Sequence, residues 1–162
     1  MKLGALIDAV CEKYQLNREI VAGLIAVESG GMWWRRRFEP AFFDRYIRDK
    51  ELPLLPGYVQ IPHRDSMTEK IDRATSWGLM QIMGQTAREA GFDKEMELLL
   101  FPKINVAFGA KKLKVCLTKE NFDYEKALLR YNGGSNSKYP ARVLDNSRTR
   151  VSEIYSIEVP DL

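Results

Sequence analysis

The chain has little of what several common classes of site require. It contains two cysteines, Cys11 and Cys116, and both lie in apolar helical patterns. Buried free thiols are common in such patterns, and a disulfide framework would need more cysteines. The single histidine, His63, excludes a histidine cluster for zinc, and its position next to a proline favours a surface loop over a Ser-His-Asp arrangement. We therefore expect neither a metal site nor a cofactor.

Strong charge and long apolar runs are also missing. The formal net charge of +3 would modestly favour an anionic partner, and it falls short of the basic surface that nucleic-acid binding requires. Charged residues interrupt the N-terminal MKLGALIDAVCEKYQ, unlike the apolar centre of a secretory signal, and no run reaches transmembrane length. We expect no nucleic-acid partner, no membrane span and no signal peptide in this chain.

The remaining composition, 45% apolar and 29% charged, is that of an ordinary globular protein. Apolar periodicity predicts helices over residues 3–14, after Asn17, from Pro102 to Leu117, over DYEKALLRY and from near Pro140. In the Pro102 helix, Ile104, Phe108 and Val115 recur on one side, which indicates a central helix. We predict a mainly α fold in one domain, residues 1–162, with an irregular insertion at about residues 32–74. The insertion would hold short helical turns and allows a small β-hairpin around FEPAFFDRYI.

One carboxylate lies where the helical pattern calls for an apolar side chain. Val21, Leu24 and Ile25 define the buried stripe of the second helix, and Glu28 is the next position on it, just before SGG ends the helix. Burial would raise the pKa of Glu28 and keep it protonated, as a general acid for glycoside cleavage must be. From this residue alone, a structural glutamate that is paired with an arginine or hydrogen-bonded to the backbone is the favoured interpretation.

Further motifs follow Glu28-Ser29 in a recognisable order. They are Gly78-Leu79-Met80-Gln81, Asn105 and Gly109 in INVAFG, and Tyr131-Asn132 at a helix end. Together they resemble the catalytic domain of the soluble lytic transglycosylase family over most of residues 17–145. The resemblance implies a lysozyme-like fold of the goose-type kind.

The resemblance also implies roles for individual residues. Glu28 would be the lone catalytic acid and then base, Ser29 would position the substrate's acetamido group, and Tyr131 would hydrogen-bond Glu28. The implied reaction cleaves the β-1,4 bond between N-acetylmuramic acid and N-acetylglucosamine in peptidoglycan and closes a 1,6-anhydro ring. The candidate substrate-binding residues are Ser29, Trp77, Met80, Gln81, Tyr131 and Asn132.

The sequence departs from the family pattern in two places. Arg130 replaces the usual alanine before Tyr-Asn, and the gap from Glu28 to Gly78 is much longer than is typical. The insertion brings Glu39 and Asp44 as possible second carboxylates, either of which could activate water and make the enzyme a muramidase, although a surface role is the favoured interpretation for each. A non-catalytic glycan-binding wall module is a further alternative.

The insertion is also rich in aromatic residues that could stack against sugar rings. Core packing explains most of them equally well, and Trp34 and Trp77 are the preferred candidates for a sugar contact. We expect a monomer that binds peptidoglycan glycan strands and acts on the bacterial cell wall, in the periplasm or outside the cell. A bacteriophage, a secretion apparatus or a larger protein would supply its setting.

Overall fold

A computed structural model describes residues 1–62 and 64–161, so His63 and its predicted loop lie outside the described residues. The fold is mainly helical with a small antiparallel sheet, as predicted. A π-helical turn spans Phe43–Ile47, and 3₁₀ turns span Leu52–Leu54 and Met96–Leu100. The α-helices are α1 (Leu3–Tyr14), α2 (Arg18–Glu28), α3 (Pro40–Phe42), α4 (Ser66–Arg73), α5 (Gly84–Glu89), α6 (Pro102–Lys119), α7 (Tyr124–Tyr131), α8 (Tyr139–Thr149) and α9 (Val151–Ser156).

Local signals placed most helix ends correctly. The Asn17 side chain accepts a hydrogen bond from the Ile20 amide at 3.0 Å and caps α2. Pro102 opens α6, where its missing N–H costs nothing. The last predicted helix is two helices, because α8 ends at Thr149 and α9 starts at Val151.

Helices α2 and α8 cross in close contact. A Cβ atom on Gly23 would lie 2.6 Å from both the Ser147 amide nitrogen and the Val143 carbonyl oxygen, so only glycine permits this approach. The two helices run in opposite directions here, since the C-terminal end of α2 meets the N-terminal end of α8. This crossing brings Glu28 beside Tyr139.

The sheet has the order β1-β2-β3, with β1 at Arg36–Phe38, β2 at Thr75–Trp77 and β3 at Ile82–Met83. Its hairpin joins β2 and β3 around GLMQ and not FEPAFFDRYI, which forms the short helical turns that were predicted and contributes only the end of an edge strand. Pro40 has no N–H to continue a strand and starts a helix instead. The register pairs Arg37 with Ser76 and Ser76 with Met83.

The insertion is anchored by a small apolar cluster and a buried ion network. Ile47, Leu55 and Ala74 form the cluster. Within the network the Glu69 carboxylate accepts hydrogen bonds from Arg73 at 2.8 Å and from Arg88 at 2.8 and 2.9 Å. Burial opposes the charge on Glu69, but hydrogen bonds and charge from the two arginines outweigh it and hold its pKa below the usual value. These contacts join α4 to α5.

Helix α6 is central, but its buried face is not the one that apolar spacing suggested. Val115 is 47% exposed, and Ile104 and Phe108 are only partly buried. The buried face includes Asn105 and Gly109, because the asparagine is fully hydrogen-bonded and the glycine makes room for a neighbouring loop. The predicted free, buried state of Cys11 and Cys116 is confirmed.

Candidate active site

A cavity of about 230 Å³ opens between the C-terminal end of α2, the sheet, α6 and the C-terminal end of α7. We refer to it as the Glu28 cavity. It brings together Glu28 and three other sequence-predicted residues, Gln81, Tyr131 and Asn132, with one candidate second carboxylate, Glu39. Its remaining lining residues are Arg37, Ser76, Met83 and Lys112.

The sheet register explains one wall of the cavity. Arg37, Ser76 and Met83 are paired across the three strands, so their side chains share one face and all three line the cavity. Trp77 follows Ser76 and therefore points to the opposite face, where it is 1% exposed and donates a hydrogen bond from Nε1 to the Asp72 carbonyl at 3.1 Å. Trp77 is a core residue, and the prediction that it contacts sugar is wrong.

Trp34, the other tryptophan that the sequence suggested for a sugar contact, is accessible to solvent. It is 57% exposed, and its ring meets Trp33 edge-on with centroids 5.4 Å apart. It does not line the Glu28 cavity. A sugar contact at Trp34 would therefore lie beyond the cavity, in the stretch between α2 and β1.

Glu28 is partly buried, and its Oε1 accepts a hydrogen bond from the Tyr139 hydroxyl. Burial raises the pKa of Glu28, and this effect outweighs the opposing hydrogen bond from Tyr139 and the positive charges of Lys112, Arg37 and Arg142. Burial likewise raises the pKa of Tyr139, so its hydroxyl stays protonated as a donor. With Oε1 engaged, Oε2 is the oxygen available to carry an acid proton.

Tyr131 lines the cavity but does not make the bond that the resemblance implied. Its hydroxyl donates to the Met80 carbonyl at 2.9 Å, and the tyrosine bound to Glu28 is Tyr139. Sequence reasoning missed Tyr139 because it stands at the very start of a helix, before Pro140, where no apolar period assigns it to a face. The packing of α8 against α2 provides that assignment.

Ser29 and Met80 do not reach the cavity. Ser29 is fully buried, where its hydroxyl donates to the Ile25 carbonyl and accepts from the Gly31 amide, both at 3.2 Å. These bonds satisfy backbone groups at the end of α2, and they occupy the hydroxyl that was expected to position the acetamido group. Met80 is also fully buried, and its side chain packs against Gly109 of α6.

Asn105 holds the GLMQ loop in place. Its Oδ1 accepts from the Met80 amide, and its Nδ2 donates to the Trp77 and Leu99 carbonyls, all at 2.8 Å. Gly78 adopts a φ of +69°, and a Cβ there would lie 2.4 Å from Asn105 Nδ2, so glycine is required on both grounds.

Gln81 is presented by this loop. Its Nε2 donates to the Gly78 carbonyl at 2.9 Å and to the Arg35 carbonyl at 3.2 Å. Both side-chain hydrogens on nitrogen are therefore engaged by the backbone, which orients the amide group at the cavity wall.

Lys112 is a cavity residue that sequence reasoning missed. It lies three residues after Gly109 and seven after Asn105, so it shares their helix face, and helical spacing from those two residues would have found it. Its Nζ sits 4.0 Å from the centroid of the Tyr131 ring. Burial lowers the pKa of Lys112, although the nearby Glu28 opposes that change.

The two candidate second carboxylates have different surroundings. Glu39 lines the Glu28 cavity, where its Oε1 accepts hydrogen bonds from Arg37 Nε at 2.7 Å and from the Ser76 hydroxyl at 3.3 Å. Asp44 instead pairs with Arg48 on an exposed turn outside the cavity. The structure therefore brings Glu39, and not Asp44, to Glu28.

Neither a metal-binding cluster nor a membrane-spanning helix is found in the described ranges, 1–62 and 64–161. There, no three His, Cys, Asp or Glu side chains are grouped so that they could hold a metal ion. The helices of the same ranges are too short or too polar to cross a membrane.

The family model described as "Transglycosylase SLT domain" matches residues 61–150. Comparisons with curated proteins and with solved structures gave no match. The matched range holds most of the cavity lining, from Ser76 to Asn132, together with Tyr139. Glu28, Arg37 and Glu39 precede it.

Proposed function

Because the chain belongs to the transglycosylase SLT domain family, we propose that it cleaves peptidoglycan as a lytic transglycosylase, with Glu28 as both catalytic acid and base. The observation that carries this proposal is the state of Glu28 in its cavity. Burial raises its pKa, one oxygen is held by Tyr139, and the other is available for a proton. These are the properties that a general acid for glycoside cleavage needs.

The reaction needs a single carboxylate. Glu28 transfers its proton from Oε2 to the oxygen that links N-acetylmuramic acid to N-acetylglucosamine, and the bond from the muramic C1 to that oxygen breaks. The substrate's own 2-acetamido group stabilises the sugar cation, as in substrate-assisted glycosidases. The Glu28 carboxylate then takes the proton of the 6-hydroxyl while that oxygen bonds to C1. The product is a 1,6-anhydro sugar, no water is added, and Glu28 is protonated again.

The surroundings of Glu28 favour both halves of this cycle. Burial raises the pKa of Glu28, which favours the protonated form that the first step needs. Once the proton has left, the positive charges of Lys112 and Arg37 and the Tyr139 hydroxyl stabilise the carboxylate. These groups are held by the fold in advance, so little reorganisation accompanies the step.

The other cavity residues would contact the sugar. Gln81 and Asn132 line the cavity, where Gln81 offers its amide oxygen and Asn132 its amide group to sugar hydroxyls or to the acetamido group. Ser29 would act indirectly, since its hydrogen bonds end α2 at Glu28. Tyr131 would brace the loop before Gln81 through its bond to the Met80 carbonyl.

Mass spectrometry of fragments released from purified peptidoglycan tests the proposal. We expect ends in 1,6-anhydromuramic acid, one water lighter than reducing ends. Glu28→Gln should lower the rate by about a thousandfold, within the range for loss of a general acid, while the protein still folds. Glutamine keeps an acceptor oxygen for Tyr139, so unchanged thermal unfolding shows that the loss is chemical.

A muramidase that adds water is the second candidate, because Glu39 lines the same cavity as Glu28. In that case the fragments would carry reducing ends, and Glu39→Gln would abolish cleavage as Glu28→Gln does. Asp44→Asn is the matched control, since it removes a carboxylate of the same segment that lies outside the cavity. Folded protein that binds the wall and releases no fragments would contradict both reactions and indicate a binding module.

A further inference from the structure

The charges that line the Glu28 cavity do not balance when Glu28 is protonated. Four charged residues line the cavity, Glu28, Arg37, Glu39 and Lys112. Glu39 matches Arg37, since Arg37 Nε and Nη2 lie 2.7 and 2.6 Å from Glu39 Oε1. Glu28 is neutral when it holds the proton that the first step of the proposed reaction needs. In that state the described lining carries an excess of one positive charge, that of Lys112.

The ammonium group of Lys112 is also short of polar partners. In the part of the chain that the structure describes, the lysines found in ion pairs or as side-chain hydrogen-bond donors are Lys2, Lys70, Lys111 and Lys126. Lys112 therefore has three N–H donors and no protein acceptor for them within these residues. A partly buried cation in this condition is stabilised by a ligand that brings an anionic oxygen.

The place of this ammonium group is set by α6 and by Tyr131. Lys112 shares a face of α6 with Asn105 and Gly109, which fix the helix against the GLMQ loop. Its Nζ lies 4.0 Å from the centroid of the Tyr131 ring. The ring face attracts the ammonium group but does not neutralise its charge. The fold therefore holds a cation at the cavity wall and leaves its hydrogen-bond donors available to a ligand.

We propose that Lys112 binds the carboxylate of the lactyl group on the muramic sugar, so that the protein prefers glycan strands without peptide stems. This inference rests on the proposed function. The lactyl group is attached to C3, two ring carbons from the C1 atom whose bond would break, so it arrives with the sugar that Glu28 acts on. It is the ionisable group of the two sugars, and a stem converts it into a neutral amide. The reaction that supplies stem-free strands is hydrolysis of that amide bond.

Two soluble stem-free strands of equal length test the inference, one with the free lactyl carboxylates and one with these groups converted to primary amides. The kcat/KM of the wild type should be about thirtyfold higher on the carboxylate strand, as for a hydrogen bond between charged groups. Lys112→Met should bring this ratio to about one. Any change that Lys112→Met causes in the pKa of Glu28 affects both substrates and cancels in the ratio. Lys103→Met is the control and should keep the ratio, because Lys103 is an exposed lysine of α6 outside the cavity.

Equilibrium binding gives a second readout that does not depend on cleavage. Glu28→Gln keeps the neutral state of the acid, so this variant should bind the carboxylate strand about thirtyfold more tightly than the amide strand. The double variant Glu28→Gln/Lys112→Met should bind the two strands equally.

The remaining outcomes separate this inference from the proposed function. Equal cleavage and equal binding of the two strands with Lys112 present would overturn the lactyl site and leave the transglycosylase proposal standing. A preference that Lys112→Met retains, or that Lys103→Met also loses, would mean general attraction by positive charge and would overturn the site as well. A carboxylate preference in binding, without cleavage of any strand, would contradict the proposed reaction and leave the site in place.

Stem-bearing strands are the third substrate, because their stems also carry carboxylates. They should behave like the amide strand. If they are instead the preferred substrate and Lys112→Met removes that preference, the carboxylate at Lys112 belongs to the stem, and the lactyl site is overturned.

Discussion

Replacement of Asn105 by alanine tests how the loop before Gln81 is held. The side chain is fully buried and makes three hydrogen bonds of 2.8 Å, to the Met80 amide and to the Trp77 and Leu99 carbonyls. Alanine leaves these three backbone groups without a partner, at about 1 kcal/mol or somewhat more for each. The free energy of unfolding should fall by about 3–5 kcal/mol, a large part of the stability of a typical domain.

Thermal and urea unfolding measure this loss, and the melting temperature should drop by roughly 10 °C. Asn146→Ala is the matched control, because Asn146 makes one hydrogen bond, to the Arg142 carbonyl at 2.8 Å, in a place where water can replace it. That change should stay within about 0.5 kcal/mol. If Asn105→Ala costs no more than the control, the three bonds do not hold the loop and the reasoning is refuted.

Activity gives a second measure of the same substitution. At a temperature where Asn105→Ala is still folded, kcat/KM on peptidoglycan should fall by about tenfold, since displacement of a site residue by even one ångström is costly. The reason is that the loop carries Gln81 and also presents the carbonyl that Tyr131 binds. Full activity in a destabilised variant would show that the loop position does not matter to the reaction.

The remaining predictions concern the pH profile. In the proposed mechanism Glu28 acts first as an acid, so activity should fall as pH rises through its pKa and the acid form is lost. Lys112→Met removes a positive charge that lowers this pKa, so the alkaline limb of kcat/KM should move to higher pH, and Lys103→Met should not move it. Tyr139→Phe removes a hydrogen bond that also lowers the pKa, so its limb should shift in the same direction, whereas Tyr131→Phe should leave the limb in place. A shift in Tyr131→Phe alone would restore the role that the resemblance implied.

Features that depend on near neighbours were predictable from the sequence. The apolar period of α1, the Asn17 cap and the glycine pair after α7 all act over a few residues, and each is found where it was expected. Glu28 stood out for the same reason, as a carboxylate on the apolar stripe of one helix. The family resemblance also pointed to Gln81 and Asn132, two cavity residues that the apolar periodicity of the helices does not reveal.

Features that join distant parts of the chain were not predictable. Glu28 and Tyr139 are 111 residues apart, and they meet because Gly23 lets α2 and α8 cross closely. The sheet register decided that Arg37 and Ser76 face the cavity while Trp77 faces the core.

The sequence by itself determined the long helices α1, α2, α6 and α7, most of their ends and the carboxylate on an apolar stripe, because hydrogen bonding and amphipathic burial within one element act through residues close along the chain. Only the tertiary structure decided which tyrosine binds Glu28, which helix face lies inward and that Lys112 and Glu39 share the cavity. Those choices depend on which elements pack together and in which register, and a fully hydrogen-bonded Asn105 can make a polar face of α6 the buried one.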